Sequence, residues 1–399
     1  MARATLSAND HRPVPFYRDV KILAILAQVA FVILIGFVFW FLYSNAAAGL
    51  RRSRIPGGFD FLWLTAGFPI SEGIAFQPTD SYARAFVVGI VNTLRVSVIG
   101  IVLATLLGTL IGIGRLSTNW LVRSICTSYV EVIRNTPLLV QLIFWYVAVI
   151  LKLPRVRDSL GINGLIFVSN RGLTVAWPQA TPSFGAWRPW LLVALIAGIA
   201  VYLWRQRQLA RQDRPGAKLS LGLLVAVVTA AVGALVVFAV AGGAPLTLNR
   251  PVLQGFNYRG GATLTPEFFA LLLGLTIYTA AFIAEVVRGG LQAVNRGQRE
   301  AARALALSPA QTLRLVIFPQ AMRVIIPPLT NQYLNLTKNS SLGIAVGFFD
   351  LFNISNTIFN QSGRSVQVIA MVMASYLTVS LITSAIMNVY NYRIRLIER

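Results

Sequence analysis

Apolar residues gather along the chain into eight long runs, separated by polar stretches that carry most of the arginines. The runs fall at 22–43, 85–114, 125–151, 190–204, 219–241, 266–287, 326–349 and 366–390, and most reach the roughly 20 residues that a helix needs to cross a bilayer. This pattern predicts an all-α, polytopic membrane protein with about eight transmembrane helices. The fourth run is short, and the seventh is polar in its first half. The fourth and fifth runs flank an arginine-rich turn and read as an inserted hairpin, since no polar motif falls on them. After the first run, the small residues of "NAAAG" would suit signal cleavage. The run is longer than a signal core, so an uncleaved anchor is expected.

One polar segment breaks the rhythm. Between the sixth and seventh runs lies "REAARALALSPAQTLRLVIFPQAMR" at 299–323, a stretch of strong helix formers. A first short helix is expected over 298–307, with Glu300 in its first turn, where the helix dipole favours an acid. Ser308 is placed to cap a second helix, Pro309 suits its first position, and Gln311 can close a capping box. Pro319 is expected to end that second helix. Ala301, Ala302, Leu305 and Ala306 form a small apolar surface. The physics leaves two readings open: a docking face for another protein, or an interfacial helix lying on lipid.

Composition sharpens the membrane reading. The 399 residues are 56% hydrophobic and only 12% charged, against about 25% charged in ordinary soluble chains. The net charge of +22 is not a nucleic-acid signal, because the basic residues concentrate in the connections between runs. Placing the N-terminus in the cytoplasm puts the richer set of Lys and Arg inside, including Arg205, Arg207, Arg211, Arg214 and Lys218 in the hairpin turn. An even number of spans then returns the C-terminus to the cytoplasm. The single Cys126 rules out a disulfide framework, and with a single His11 no His/Cys metal site is expected. No GxxxxGK[ST] loop, catalytic triad or metal cluster is apparent, so no catalytic residue is assigned.

The polar residues inside the spans are the candidates for chemistry. Glu285 lies late in the sixth run, where an ionisable group must face protein or a water path. Asn335, Lys338, Asn339, Ser340 and Ser341 make the seventh run polar. Such groups can supply partners to a polar or charged solute once it is desolvated. They equally suit interhelical hydrogen bonding. Glu131 and Arg134 are spaced for a structural ion pair. Gly108 and Gly112 form a small-xxx-small pattern for close helix packing.

"EAARALA…VIFP" resembles the EAA loop of binding-protein-dependent ABC importer permeases. Glu300, Ala301, Ala302 and Pro319 stand in register, with Ala306, Val316 and Phe318 replacing that pattern's Gly, Ile and Leu. "NTLRVSVIGIVLATLLGTLIGIGRLS", "YVEVIRNTPLLVQLIFWY", "YTAAFIAEVVRGGL" and "NQYLNLTKNSSLG" resemble the polar amino-acid branch of that family, in its order. The likeness covers about 92–146 and 272–397, and is closest to the larger permeases of general L-amino-acid importers. It implies a type I five-helix permease core and a coupling loop at 297–320 that docks on a separate ATPase. ATP and Mg²⁺ would be bound by that subunit, with no cofactor on this chain. It also implies a second permease, a related chain by family analogy, a periplasmic amino-acid-binding protein, an amino-acid substrate, and the bacterial inner membrane. The expected division is an anchor and periplasmic segment at 1–84, core parts at 85–151 and 265–399, and an insertion at 152–264. The alternative is a self-sufficient secondary transporter, whose usual internal repeat is not seen.

Overall fold

The computed structural model describes residues 20–52, 58–211 and 219–394. His11, the 212–218 part of the arginine-rich turn, and Arg395 and Arg399 lie outside the described residues. The helices are α1 (Val20–Arg52), α2 (Tyr82–Gly114), α3 (Trp120–Arg134), α4 (Leu138–Ile143), α5 (Phe184–Arg211), α6 (Leu219–Ala241), α7 (Pro266–Gln292), α8 (Arg296–Ala304), α9 (Pro309–Gln311), α10 (Phe318–Asn339), α11 (Leu351–Ser362) and α12 (Ser365–Ile394). Among the described residues seven helical segments are long and apolar enough to cross a membrane, and α3 with the segment Leu138–Lys152, which α4 opens, makes an eighth if the bent pair is one span.

Three of the expected runs take a different form. The third is bent by 106° between α3 and α4. Thr136 precedes Pro137 and so resists helical geometry. The buried Gln141 then fixes the bend, its side-chain Nε2 donating to the carbonyls of Ile133 and Thr136 at 2.9 Å each. The fourth run is full length, because its helix begins at Phe184 and carries Pro189 inside its second turn, at the loss of one backbone hydrogen bond. The seventh starts earlier than expected, as described below, and ends at Val346 before Gly347 turns left-handed at φ 80°.

Among the described residues eight short strands, which hydropathy did not anticipate, lie in the connections on either side of the α5–α6 hairpin. They are β1 (Leu160–Ile162), β2 (Ile166–Ser169), β3 (Gly172–Val175), β4 (Trp177–Ala180), β5 (Leu246–Asn249), β6 (Val252–Gln254), β7 (Asn257–Arg259) and β8 (Ala262–Leu264). They form one sheet in the order β1-β2-β3-β8 and two pairs, β4-β5 and β6-β7. β3 pairs antiparallel with β8, Leu173 opposite Leu264 and Val175 opposite Ala262, so the chain leaves and returns at one place.

At the centre is α7, packed between α2, α4 and α10 with Phe268, Leu271, Leu275 and Ile283 fully buried. In lipid the hydrophobic effect does not hold helices together; close packing and hydrogen bonds do. Gly108 and Gly112 provide that closeness. A Cβ at Gly108 would lie 2.7 Å from the carbonyl oxygen of Ala280, and one at Gly112 would lie 2.7 Å from that of Ala284. The expected small-residue seam is therefore the α2–α7 contact. Cys126 is half-buried on α3, its Sγ beside Gly114.

A second core closes the strand-bearing end of the bundle. Phe61 and Phe68, from the segment before α2, pack with Phe86 of α2 and with Leu351 and Ile354 of α11. Polar ties fix this cap. The buried Glu72 pairs with Arg95 at 2.8 Å, and Asn92 Nδ2 donates to the carbonyls of Glu72 (3.2 Å) and Phe349 (2.8 Å). Asp350 caps α11, accepting from the Asn353 N–H at 2.8 Å. Its burial pushes the carboxyl up to about 6.

Candidate functional site

The opposite end of the bundle carries α8. Asn295 caps it, accepting from the Gly297 N–H at 2.8 Å. This cap moves the helix two residues upstream of the expected start. Glu300 therefore sits in the second turn, away from the positive end of the dipole, and is exposed. The Ser308–Gln311 capping box forms as the sequence suggests, with bonds of 2.9 and 3.3 Å. Pro319 does not end the second helix. The chain widens into a π-turn at Thr312–Ile317 and continues directly into α10, the extra residue accommodating the proline and its missing N–H.

The small apolar surface divides. Ala302 is buried within the chain at 2% exposure, because α8 lies on the π-turn, where Thr312 and Ile317 are also buried. Ala301, Leu305, Ala306, Phe318 and Pro319 remain exposed, and Val316 is half-buried. A bulky residue at Ala302 would thus disturb this chain's own packing before reaching any partner. Leu305, 74% exposed, is the larger free apolar group.

Ala306 stands at φ 54°, the left-handed region. The N–H of Leu307 donates to the carbonyl of Ala302 at 3.1 Å, and that of Ala306 to the carbonyl of Arg303 at 2.9 Å. This is a Schellman helix end with alanine at the position that glycine usually fills. The departure from the loop pattern thus concerns backbone conformation, in addition to the close approach expected from a small side chain. Ala306→Gly is expected to stabilise the protein by on the order of 0.5–1 kcal/mol, the relief of about 1–2 kcal/mol being partly offset by glycine's freedom when unfolded. Thermal unfolding of the two proteins in the same detergent checks this, and a lower midpoint for the glycine variant would count against the strain.

Behind α8 lies a charged cluster. Glu285 of α7 is paired with Arg115 at the end of α2 and with Arg288 one turn on, and Arg134 of α3 lies 3.8 Å away. One carboxylate thus joins three helices. Glu285 is 30% exposed and Arg115 10%. The expected Glu131–Arg134 pair does not form; Arg134 turns instead to Glu285 and the ring of Phe282, 5.3 Å from its guanidinium. Arg299 Nη2 donates to the Leu291 carbonyl at 2.8 Å, tying α8 to the end of α7.

The polar residues of α10 do not converge on one point. Ser340 is fully buried and donates to the Thr337 carbonyl at 2.8 Å. Ser341 donates to the Lys338 carbonyl at 2.8 Å, and Asn339 is half-buried. Asn335 and Lys338 are exposed, and so is Asn331. At spacings of four and three they make one stripe along the helix. Glu285 belongs to a different region, near the α8 end. Sequence reasoning missed Asn331 and the three arginines around Glu285. The spacing to Lys338 signalled the first; nothing local signalled Arg115, 170 residues away.

The sequence model for "Binding-protein-dependent transport system inner membrane component" matches residues 100–396. The chain is 46% identical over 385 residues to the general L-amino acid transport system permease protein AapQ of Rhizobium johnstonii, covering 96% of this chain and 94% of that protein. It is 44% identical over 379 residues to the putative amino-acid ABC transporter permease protein YhdX of Escherichia coli, covering 93% of each. It is 38% identical over 416 aligned residues to the glutamate/glutamine/aspartate/asparagine transport system permease protein BztB of Rhodobacter capsulatus, covering 96% of each.

Proposed function

This chain belongs to the binding-protein-dependent inner membrane components, the permease subunits of ABC importers, and from that premise we propose that its cargo is amino acids and that α8 is the element a separate ATPase subunit drives. The observation that carries the reading is α8 itself. It is a short capped helix between two apolar helices, fixed to its own chain through Ala302 and Arg299, with Ala301 and Leu305 free. A force on its exposed face passes to α7 through Arg299 and to α10 through the π-turn.

In this reading α8 and both termini face the cytoplasm of a bacterial cell, and the strand-bearing end faces the periplasm, where a binding protein delivers substrate. ATP and Mg²⁺ belong to the ATPase, and the chain binds no cofactor. The stripe of Asn331, Asn335 and Lys338 is exposed within this chain, with Lys338 at the edge of an open cleft lined by Phe352, Val372, Met373 and Tyr376. Polar groups at that depth need protein or water. A second permease, a related chain, supplies the opposite wall, and the stripe lines the path between them. Lys338 can meet a substrate carboxylate, and the asparagine amides either charged end. Amino-acid cargo is supported by the three relatives, which are named for amino-acid transport.

The test uses the importer extracted in mild detergent. The parent is expected to retain its ATPase subunit, whereas Ala301→Glu with Leu305→Glu loses it. Both changes are to exposed residues, so the variant should reach parent abundance while amino-acid uptake falls at least 10-fold, on the view that a charge at the centre of a desolvated contact costs several kcal/mol. A variant that keeps both the ATPase and uptake leaves α8 as a helix lying on lipid. Uptake by the permease without any ATPase subunit would favour the secondary transporter.

A further inference from the structure

The strand-bearing insertion contains a cleft of about 500 Å³ lined by Arg155, Arg157, Asp158, Asn170, Arg171 and Phe256. Its walls come from three distant parts of the chain: the turn at Val156–Asp158, the β2–β3 turn, and the β6–β7 hairpin. These walls are tied together. The Asn170 N–H donates to the Pro154 carbonyl at 2.9 Å. Tyr258 of β7 stacks on Phe167 of β2, centroids 4.5 Å apart, and its hydroxyl meets that of Ser159 at 2.5 Å.

Two of the arginines are held in place by the hairpin. Arg157 lies over the Phe256 ring, 4.8 Å from its centroid, and Arg171 bonds to the Asn257 side-chain oxygen. Among the described residues none of the three guanidinium groups makes an ion pair. The site therefore holds three like charges around one space, with a single carboxylate at its edge. All three are exposed, so solvent screens much of their mutual repulsion, and an anion in the cleft relieves the rest.

We infer that this cleft is a binding site for a small amino acid with two carboxylates, of the L-glutamate or L-aspartate class. Arginine's planar fork matches a carboxylate with two parallel hydrogen bonds, so a pair of arginines accounts for a pair of carboxylates. Asp158 and the Asn170 carbonyl remain to accept from an ammonium. The volume lies within the 300–1,000 Å³ common for small-ligand sites. The same Asp158 makes the cleft less suitable for a purely acidic protein surface, which brings no ammonium. The choice of an amino acid rests on the function proposed above; the arginine geometry does not. The site stands apart from the α10 stripe and from α8, and gives the insertion a task of its own: holding an acidic substrate at the outer face.

The experiment measures equilibrium binding of radiolabelled L-glutamate to the intact detergent-solubilised importer without its binding protein. Arg157→Gln with Arg171→Gln is compared with the parent, and L-lysine and sulfate serve as competitors. We expect the parent to bind one more equivalent of glutamate per permease than the variant, or the variant's affinity to fall at least 10-fold. Lysine and sulfate should compete at least 10-fold more weakly than unlabelled glutamate. Equal binding by parent and variant overturns the proposal, as does sulfate competing as well as glutamate, which marks a plain anion patch. Loss of binding-protein docking in the variant, with no glutamate bound by either, assigns the cleft to a protein contact and also overturns it. Retention of the ATPase subunit is scored on the same samples, so failure of the importer reading is seen separately.

Discussion

Glu285→Gln is expected to destabilise the folded permease by about 2–4 kcal/mol, somewhat below the cost of breaking a fully buried pair because Glu285 is 30% exposed. Without the carboxylate, Arg115, Arg134 and Arg288 face one another across three helices. Arg115 has no reserve partner, since its Nε is already buried without a hydrogen bond. This expectation differs from the one the sequence alone suggests, in which Glu285 acts on substrate passage. Thermal unfolding in detergent separates the two. A lower midpoint that is partly restored by adding Arg115→Gln supports the structural role. A parent-like midpoint with lost uptake returns Glu285 to the substrate path.

The second large effect is expected at the α2–α7 seam. Gly108→Ala places a methyl about as close to the Ala280 carbonyl as to the Cβ of Ile283, 2.7 Å from each. Gly112→Ala does the same against Ala284, 2.7 Å from its carbonyl, and Val287, 2.9 Å from its Cβ. Backbone oxygen and β-branched side chains cannot swing away, so α2 must move. Each change should cost about 1–3 kcal/mol by overpacking. The pair together is expected to remove most folded, uptake-competent protein. Gly36→Ala in α1, where nothing lies within 4 Å of the added carbon, is the control, and should leave both unchanged. Measured abundance and uptake decide it. A double variant as stable as the control would mean that the helices are not held at this distance.

The spans were legible because each is a long apolar run, a property of neighbouring residues. The Gly108 and Gly112 seam and the Ser308–Gln311 cap were legible for the same reason: three or four residues define them. The bend at Thr136–Pro137 was present in the sequence as an X-Pro step, but the apolar run continues through it and hides it from hydropathy. The strands were not legible. Each has only three or four residues, several are exposed on both faces, and β3 and β8 meet across a long stretch of chain. The Glu285 cluster failed for a related cause in part, since Arg115 and Arg134 come from other helices, although Arg288 lies only three residues on in the same one. Ala302 shows a subtler limit. The loop pattern places it on the surface with Ala301, yet adjacent helix positions point about 100° apart, and only the packed π-turn decides which faces inward.

The pairing of β3 with β8 makes everything between them a side branch. Val175 and Ala262 are the last partners of that ladder, so a two-residue turn joining them would close an ordinary hairpin. The strands of the branch pair only with one another, β4 with β5 and β6 with β7, and its two long helices pack on each other. A branch with two crossings also preserves parity: α7 begins on the same side of the membrane whether the branch is there or not. Such an element is a cassette in the engineering sense: its two ends meet at one stem, and its removal there leaves the orientation of everything downstream unchanged.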